Sequence, residues 1–217
     1  MTTDVQLNIP YLIGVILSDG GIYKYPDKRG PKTFHYQTDF TGDESLEFVK
    51  QIADMAEKIF KTKIIIHKHS SANCYYASSY KKEIFESLFK LGIPAGNKTL
   101  KAEFPQKLSL KEKIEIVKGI FDSEGWIYFR IERKRIKSGI KEYKYPVIAI
   151  KVSSEKFRND ISDLLKEIGI YFTQFSYPSK NRYEIHLRKF GSIKLFSEMI
   201  GFRHPRKKDK LKAVIGS

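Results

Sequence analysis

The chain has 217 residues, with 40 lysines and arginines against 25 aspartates and glutamates, for a formal net charge of +15. Its 41% hydrophobic content supplies a packed core, and a lone cysteine, Cys74, excludes an internal disulfide framework and a cysteine-built zinc site. No stretch approaches the roughly 18 consecutive apolar residues of a membrane span, and the N-terminus lacks the basic start and apolar run of a secretory leader. The expectation is a soluble, cytoplasmic protein drawn to polyanions.

Residues 11–22 (YLIGVILSDGGI) read as the end of a first helix, with Pro10 suited to its first turn. Residues 33–40 alternate: Phe34, Tyr36 and Phe40 share one face, and Thr33, His35, Gln37 and Asp39 the other, as in an antiparallel strand with one dry and one wet face. Thr41 and Glu44 have capping-box spacing, which predicts a helix from about residue 42. That helix carries Phe48, Ile52, Met55, Ala56 and Ile59 at helical period. Strands are expected at 63–69 and 73–80. Residues 91–108, with Gly92, Pro94, Gly96 and Pro105, form a natural connection. Ser109 and Glu112 repeat the capping box, placing a helix from about residue 110 that ends within residues 116–127 (IVKGIFDSEGWI). Strands follow at 127–137 and 143–152, then a helix with Phe157, Ile161, Leu164, Leu165 and Ile168. Further strands are expected at 171–177 and 182–188, the latter alternating Tyr183, Ile185 and Leu187 with Arg182, Glu184, His186 and Arg188.

The two halves are copies of one pattern. Residues 11–22 and 116–127 share glycine, serine, acid and glycine at matching places, and the helices that follow stand 109 residues apart. Each half reads helix, two strands, helix, two strands, helix. The fold class is therefore α+β, with two pseudo-symmetric αββαββα domains: residues 1–100, a linker at 101–107, and residues 108–217 ending in a basic tail.

Two local rules are broken twice. Asp19 and Glu124 sit at helix C-termini, where partial negative charge disfavours a carboxylate, so something cationic should compensate. Each precedes a glycine able to take a left-handed cap. Gly14 with Ser18, and Gly119 with Ser123, give each helix a flat face that allows close approach. If these helices pair, the two acids arrive side by side and repel unless protonated or bridged by metal. Mg²⁺ suits such a site, because it takes oxygen ligands and needs only one or two carboxylates plus substrate phosphates, an arrangement that serves phosphodiester hydrolysis. For either copy alone, an acid and glycine after an apolar helix is simply a turn. The duplication and the basic surface shift the balance to a site.

LIGVILSDG (12–20) and VKGIFDSEG (117–125) resemble the two LAGLIDADG motifs of single-chain homing endonucleases, and motif spacing and element order extend the resemblance over nearly the whole chain. The resemblance implies saddle-like sheets, motif helices at the domain interface, and Mg²⁺, with Mn²⁺ able to substitute, held by Asp19 and Glu124 with the carbonyls of Ser18 and Ser123. It also implies a basic residue near each scissile phosphate, Lys98 in the first half and Lys207 (or its neighbour Lys208) in the second. A polar strand residue positions water, Gln37 or Asp39 in the first half. Leu17 departs from the motif's first acidic position, which Asp122 keeps. The implied partner is duplex DNA with a long, nearly asymmetric site, cut by a monomer to leave short 3′ overhangs. The rivals are a maturase that grips its own intron RNA without cutting, and a basic nucleic-acid-binding protein whose acids merely end helices. The composition is compatible with a thermophilic, archaeal host.

Basic side chains, with the neutral amide of Gln37 among them, cluster where wet sheet faces should be: Lys24, Arg29, Lys32, His35 and Lys68 in the first half, and Arg130, Arg133, Arg135 and Lys137 on a long hairpin in the second. Arg182, His186 and Arg188 add a third strip. Single members of such a cluster more often touch phosphates than read bases. His67 and His69 lack further partners at metal-ligand spacing, and no phosphate-cradling glycine-rich loop is present.

Overall fold

Two helices with small residues on one face form the centre of the molecule. The computed structural model describes residues 3–27, 30, 33–136 and 139–216, with side chains from residue 8 onward. Helices α1 (Thr3–Ser18) and α4 (Leu110–Glu124) form the most extensive helix–helix contact. A Cβ on Gly14 would lie 2.0 Å from the Ile116 carbonyl oxygen, and one on Gly119 would lie 2.3 Å from that of Tyr11. The two backbones therefore touch, which only glycine permits at these positions. Helix α4 starts at the capping box read from the sequence, Ser109 and Glu112 each bonding the other's backbone N–H. Pro10, expected in the first turn, lies two turns inside α1. It deletes one backbone hydrogen bond, and the burial of every residue from Pro10 to Leu17 carries the helix across the gap.

Each half then builds a four-stranded antiparallel sheet. Strands β1 (Gly21–Pro26), β2 (Phe34–Asp43), β3 (Ile65–Lys68) and β4 (Tyr75–Ser79) lie in the order β1-β2-β4-β3. Strands β5 (Trp126–Ile136), β6 (Gly139–Val152), β7 (Thr173–Tyr177) and β8 (Arg182–Leu187) repeat it as β5-β6-β8-β7. Helices α2 (Leu46–Phe60) and α3 (Lys82–Lys90) pack on the first sheet, and α5 (Glu155–Glu167) and α6 (Phe190–Met199) on the second. The copies match in detail. Ser45 caps α2 by accepting the Phe48 N–H, and Ser154, 109 residues later, caps α5 by accepting that of Phe157.

Helix α2 begins at Leu46 rather than near 42, and the capping box expected at Thr41 is absent. Thr41 continues β2, paired with Ala77 beyond a bulge after Asp39. Asp43 then turns the chain by accepting the Ser45 N–H at 2.6 Å. The connection between the halves divides its loyalty: the Gly96 N–H bonds the Ile22 carbonyl, whereas the Ala102 carbonyl and the Phe104 N–H bond Ser154 and Asp160 of the second half. The segment expected as a basic tail is instead a helix, α7 (Pro205–Ile215), started by Pro205 and docked through buried Leu211 and Val214. Arg29, Lys32 and Lys137 lie outside the described residues. Among those described, no helix is long and apolar enough to cross a membrane.

Candidate metal and nucleic-acid site

Asp19 and Glu124 lie at the ends of the paired helices, and both line a cavity of about 650 Å³ together with Asp43, His204 and Lys207. Glu124 also lines a second cavity of about 290 Å³, with Ser18, Lys98 and Lys151. The two hollows thus flank the helix ends, one lined by Lys207 and the other by Lys98. Neither following glycine is left-handed. A Cβ at Gly20 would lie 2.3 Å from the Asp39 carbonyl oxygen, and one at Gly125 2.4 Å from that of Phe121, so these glycines serve close approach instead.

The compensating cations are Lys98 and Lys207. The Lys98 ammonium donates to the carbonyls of Ile16 and Ser18, the latter at 2.8 Å. That of Lys207 donates to Phe121, Asp122 and Ser123, at 3.3 Å to the first and 2.9 Å to the last. Each motif helix ends on an ammonium group, which neutralises carbonyls the helix leaves unpaired. Lys208, the alternative to Lys207, points to solvent.

Charge at the site is strained. Burial raises the pKa of Asp19, although one edge of the residue is exposed, and the Gly42 N–H (3.1 Å) and Lys98 only partly oppose this. Burial also raises Glu124, and the neighbouring Asp19 adds to it. Burial lowers Lys98 to about 8 against the pull of both carboxylates, and lowers Lys207 for the same reason. Two carboxylates that repel each other, with main-chain oxygens alongside, form a hard oxygen set that fits a divalent cation such as Mg²⁺. The Ser18 and Ser123 carbonyls each keep a second lone pair after accepting a lysine N–H. Among the described residues, no cluster of three or more His, Cys, Asp or Glu side chains offers an all-protein metal cage.

The two half-sites differ. Asp122, buried, accepts the Tyr11 hydroxyl at 2.7 Å and the backbone N–H groups of Arg203 and His204, tying α1, α4 and the start of α7 together. Leu17, in the corresponding place, is core. With α2 and α5 in register at 109 residues, Gly42 corresponds to Lys151, so the first half offers Asp19 a backbone N–H where the second places a lysine beside Glu124. Asp43, His204 and Lys151 were missed from the sequence. The 109-residue offset carried the signal for Lys151, and the contact of Asp43 with His204 spans a separation no local pattern reveals.

The strand registers sort the expected DNA-facing residues. On the open face of the first sheet stand His35, Gln37 and Asp39, with stacked Tyr23 and Tyr25 opposite them. The Gln37 amide donates to Asp39, and His35 lies 3.3 Å from Asp27. Lys24 and Lys68 fall on the other, helix-covered face, where Lys24 rests on the Phe34 ring and Lys68 near that of Tyr75. In the second half the open face carries Arg130, Lys151, Arg182 and Arg188. Arg133 and Arg135 project from the opposite side of the β5–β6 ribbon, Arg133 paired with Glu142 at 3.2 Å. The strip at 182–188 is not wet throughout: His186 is buried among Trp126, Tyr128 and Phe175 and paired with Glu184 at 2.9 Å, while Arg188 lies over Phe175. The aromatic rings of neighbouring strands close over His186, which alternation alone does not register.

No protein-family model matches the sequence. The chain is 27% identical over 98% of its length to the replication factor C small subunit of Methanocaldococcus jannaschii, of which it spans only 10%. It is 23% identical over 95% of its length to homing endonuclease I-ApeI of Aeropyrum pernix, covering 86% of that protein. Its fold is similar to that of I-DmoI, solved in complex with DNA and Ca (TM-score 0.68, 18% identity, 98% of this chain and 99% of that one). It is similar also to I-LtrWI, a LAGLIDADG homing endonuclease bound to its target DNA (TM-score 0.67, 11% identity, 98% of this chain and 90% of that one). The duplicated motif, the helix pair it builds and a likeness extending over almost the whole length show that this chain has the two-domain fold of the single-chain LAGLIDADG homing endonucleases.

Proposed function

We propose that this chain is a site-specific endonuclease for duplex DNA that requires a divalent cation, Mg²⁺ with Mn²⁺ as a substitute. Acting as a monomer, it would cut both strands across the minor groove beneath α1 and α4 and leave short 3′ overhangs. The observation that carries this reading is the pairing of two helix-end carboxylates, each with its own lysine seated on the same helix end. Asp19 and Glu124, with the Ser18 and Ser123 carbonyls, would hold the cation, which when bound supplies Lewis-acid activation of water and of the phosphate. Lys98 and Lys207 would each turn an ammonium N–H towards one scissile phosphate and stabilise the charge that builds there. Gln37, held by Asp39 on the open sheet face, would orient water in the first half. The two domains, 1–100 and 108–217, would each cover half of a long, nearly asymmetric target.

A target recovered from a randomised duplex library by cleavage tests this directly. Cutting should need Mg²⁺ or Mn²⁺, stop with EDTA and leave 3′ overhangs. A protein that binds duplex DNA but cuts nothing in the presence of either ion contradicts the reading.

A further inference from the structure

The two lysines reach equivalent places by different means. Lys98 follows Gly96, whose N–H bonds Ile22, and a bridge pairs Ala95 with Ile22, so its segment is fixed within the first half. Lys207 lies on α7, the last helix of the second half, and the residue three before it is His204. That imidazole is buried, stacked on the Phe48 ring of α2 with centroids 4.6 Å apart, and its Nε2 lies 3.4 Å from Asp43 Oδ1 at the end of β2. Its Nδ1 is buried without a hydrogen-bond partner. Phe48 and Asp43 belong to the first half. Burying a polar ring with an unpaired nitrogen is unfavourable, yet the contact joins residues 161 apart in sequence beside the site.

We propose that His204 is a positioning residue: its contact with Asp43 and Phe48 latches α7 onto the first domain and so seats Lys207 on the end of α4, while Lys98 needs no such latch. The inference builds on the proposed DNA-cutting activity, in which each lysine serves one strand. Loss of the latch should therefore impair one strand only.

The test has two arms, using the full chain. In the first, metal-free protein is treated with acetic anhydride and the lysines are followed by peptide mass spectrometry. In His204→Ala and Asp43→Ala, Lys207 should acetylate at a rate approaching that of exposed Lys208, at least about fivefold faster than in wild type, while Lys98 stays protected. His204→Gln, whose amide can still donate to Asp43, should keep much of the protection and covers the case in which His204→Ala fails to fold. In the second, single-turnover cutting of an end-labelled duplex should slow about tenfold or more on one strand, the same strand slowed by Lys207→Met, with the other unchanged. Protection of Lys207 unaltered in all three variants, or lost together with that of Lys98, overturns the latch, as does equal slowing of both strands. If wild type cuts no DNA, the parent reading falls and the acetylation arm alone decides the latch.

Discussion

Gly14 and Ile116 meet backbone to backbone, with no room between the α-carbon of one and the carbonyl oxygen of the other for a single methyl group. Gly14→Ala places a Cβ 2.0 Å from that oxygen, and Gly119→Ala repeats the clash at 2.3 Å against Tyr11. A clash with backbone cannot be relieved by a side-chain rotation. Each change should cost about 3 kcal/mol and lower Tm by about 6–12 °C. Thermal unfolding followed by circular dichroism checks this; a drop of less than about 2 °C would mean that the helices can slide apart freely.

Asp19 and Glu124 both titrate above their unfolded values. The folded chain therefore keeps protons that the unfolded chain releases. The stability this gives is present in full at low pH and is lost as the pH rises through the raised values. Once ionised, the two carboxylates face each other and the negative helix ends. Asp19→Asn and Glu124→Gln should thus raise Tm by about 1–4 °C at pH 7 in EDTA, while reducing cleavage about a thousandfold and sparing DNA binding. Undiminished cutting by either variant would remove that residue from the site.

Lys98, at about 8, moves activity and stability in opposite directions with pH. Between about 8 and its unfolded value of 10.5 the unfolded chain carries more protons, so the contribution of Lys98 to stability grows as the pH rises through that window. Its ammonium charge, meanwhile, is lost. Cleavage should fall as the pH passes about 8, and Lys98→Arg, charged throughout, should flatten that decline even if its maximal rate is lower. A pH–rate profile of the two proteins decides; identical alkaline limbs would exclude Lys98 as the titrating group.

The β5–β6 ribbon is strongly basic, and Arg133 on it is held by Glu142. Arg133→Ala should weaken duplex binding by about 1 kcal/mol and shallow the logarithmic salt dependence by about one unit if the side chain meets a phosphate. Titrations at several salt concentrations measure both. An unchanged slope with relaxed preference at one position would instead make Arg133 a base reader.

The repeat made much of this legible before any coordinates. Glycine and serine at matching helical spacing carried the helix pair, the acids carried their shared position, and hydrophobic period carried α2 and α5. What remained hidden depends on distance in sequence or on the third dimension. Thr41 has the right chemistry for a helix cap, but its backbone is claimed by β4, and Ser45 supplies the cap instead. The cluster 205–212 reads as solvated charge until Leu211 and Val214 find a surface to bury against. Alternation in 182–188 separates two faces, but not which of them other rings will roof over. Asp122 looks like a spare acid in the motif, and only the fold brings Tyr11 and the N–H groups of Arg203 and His204 to it.

The strand registers leave one more consequence. Among the described strand residues, the open face of the first sheet carries no lysine or arginine, whereas that of the second carries Arg130, Lys151 and Arg182, with more along its ribbon. A duplex laid across both would have one end over these cationic strand residues and the other over strand residues that carry no lysine or arginine. Turning it around would exchange them, so the heading of the target on the protein would be set by charge before a single base is read.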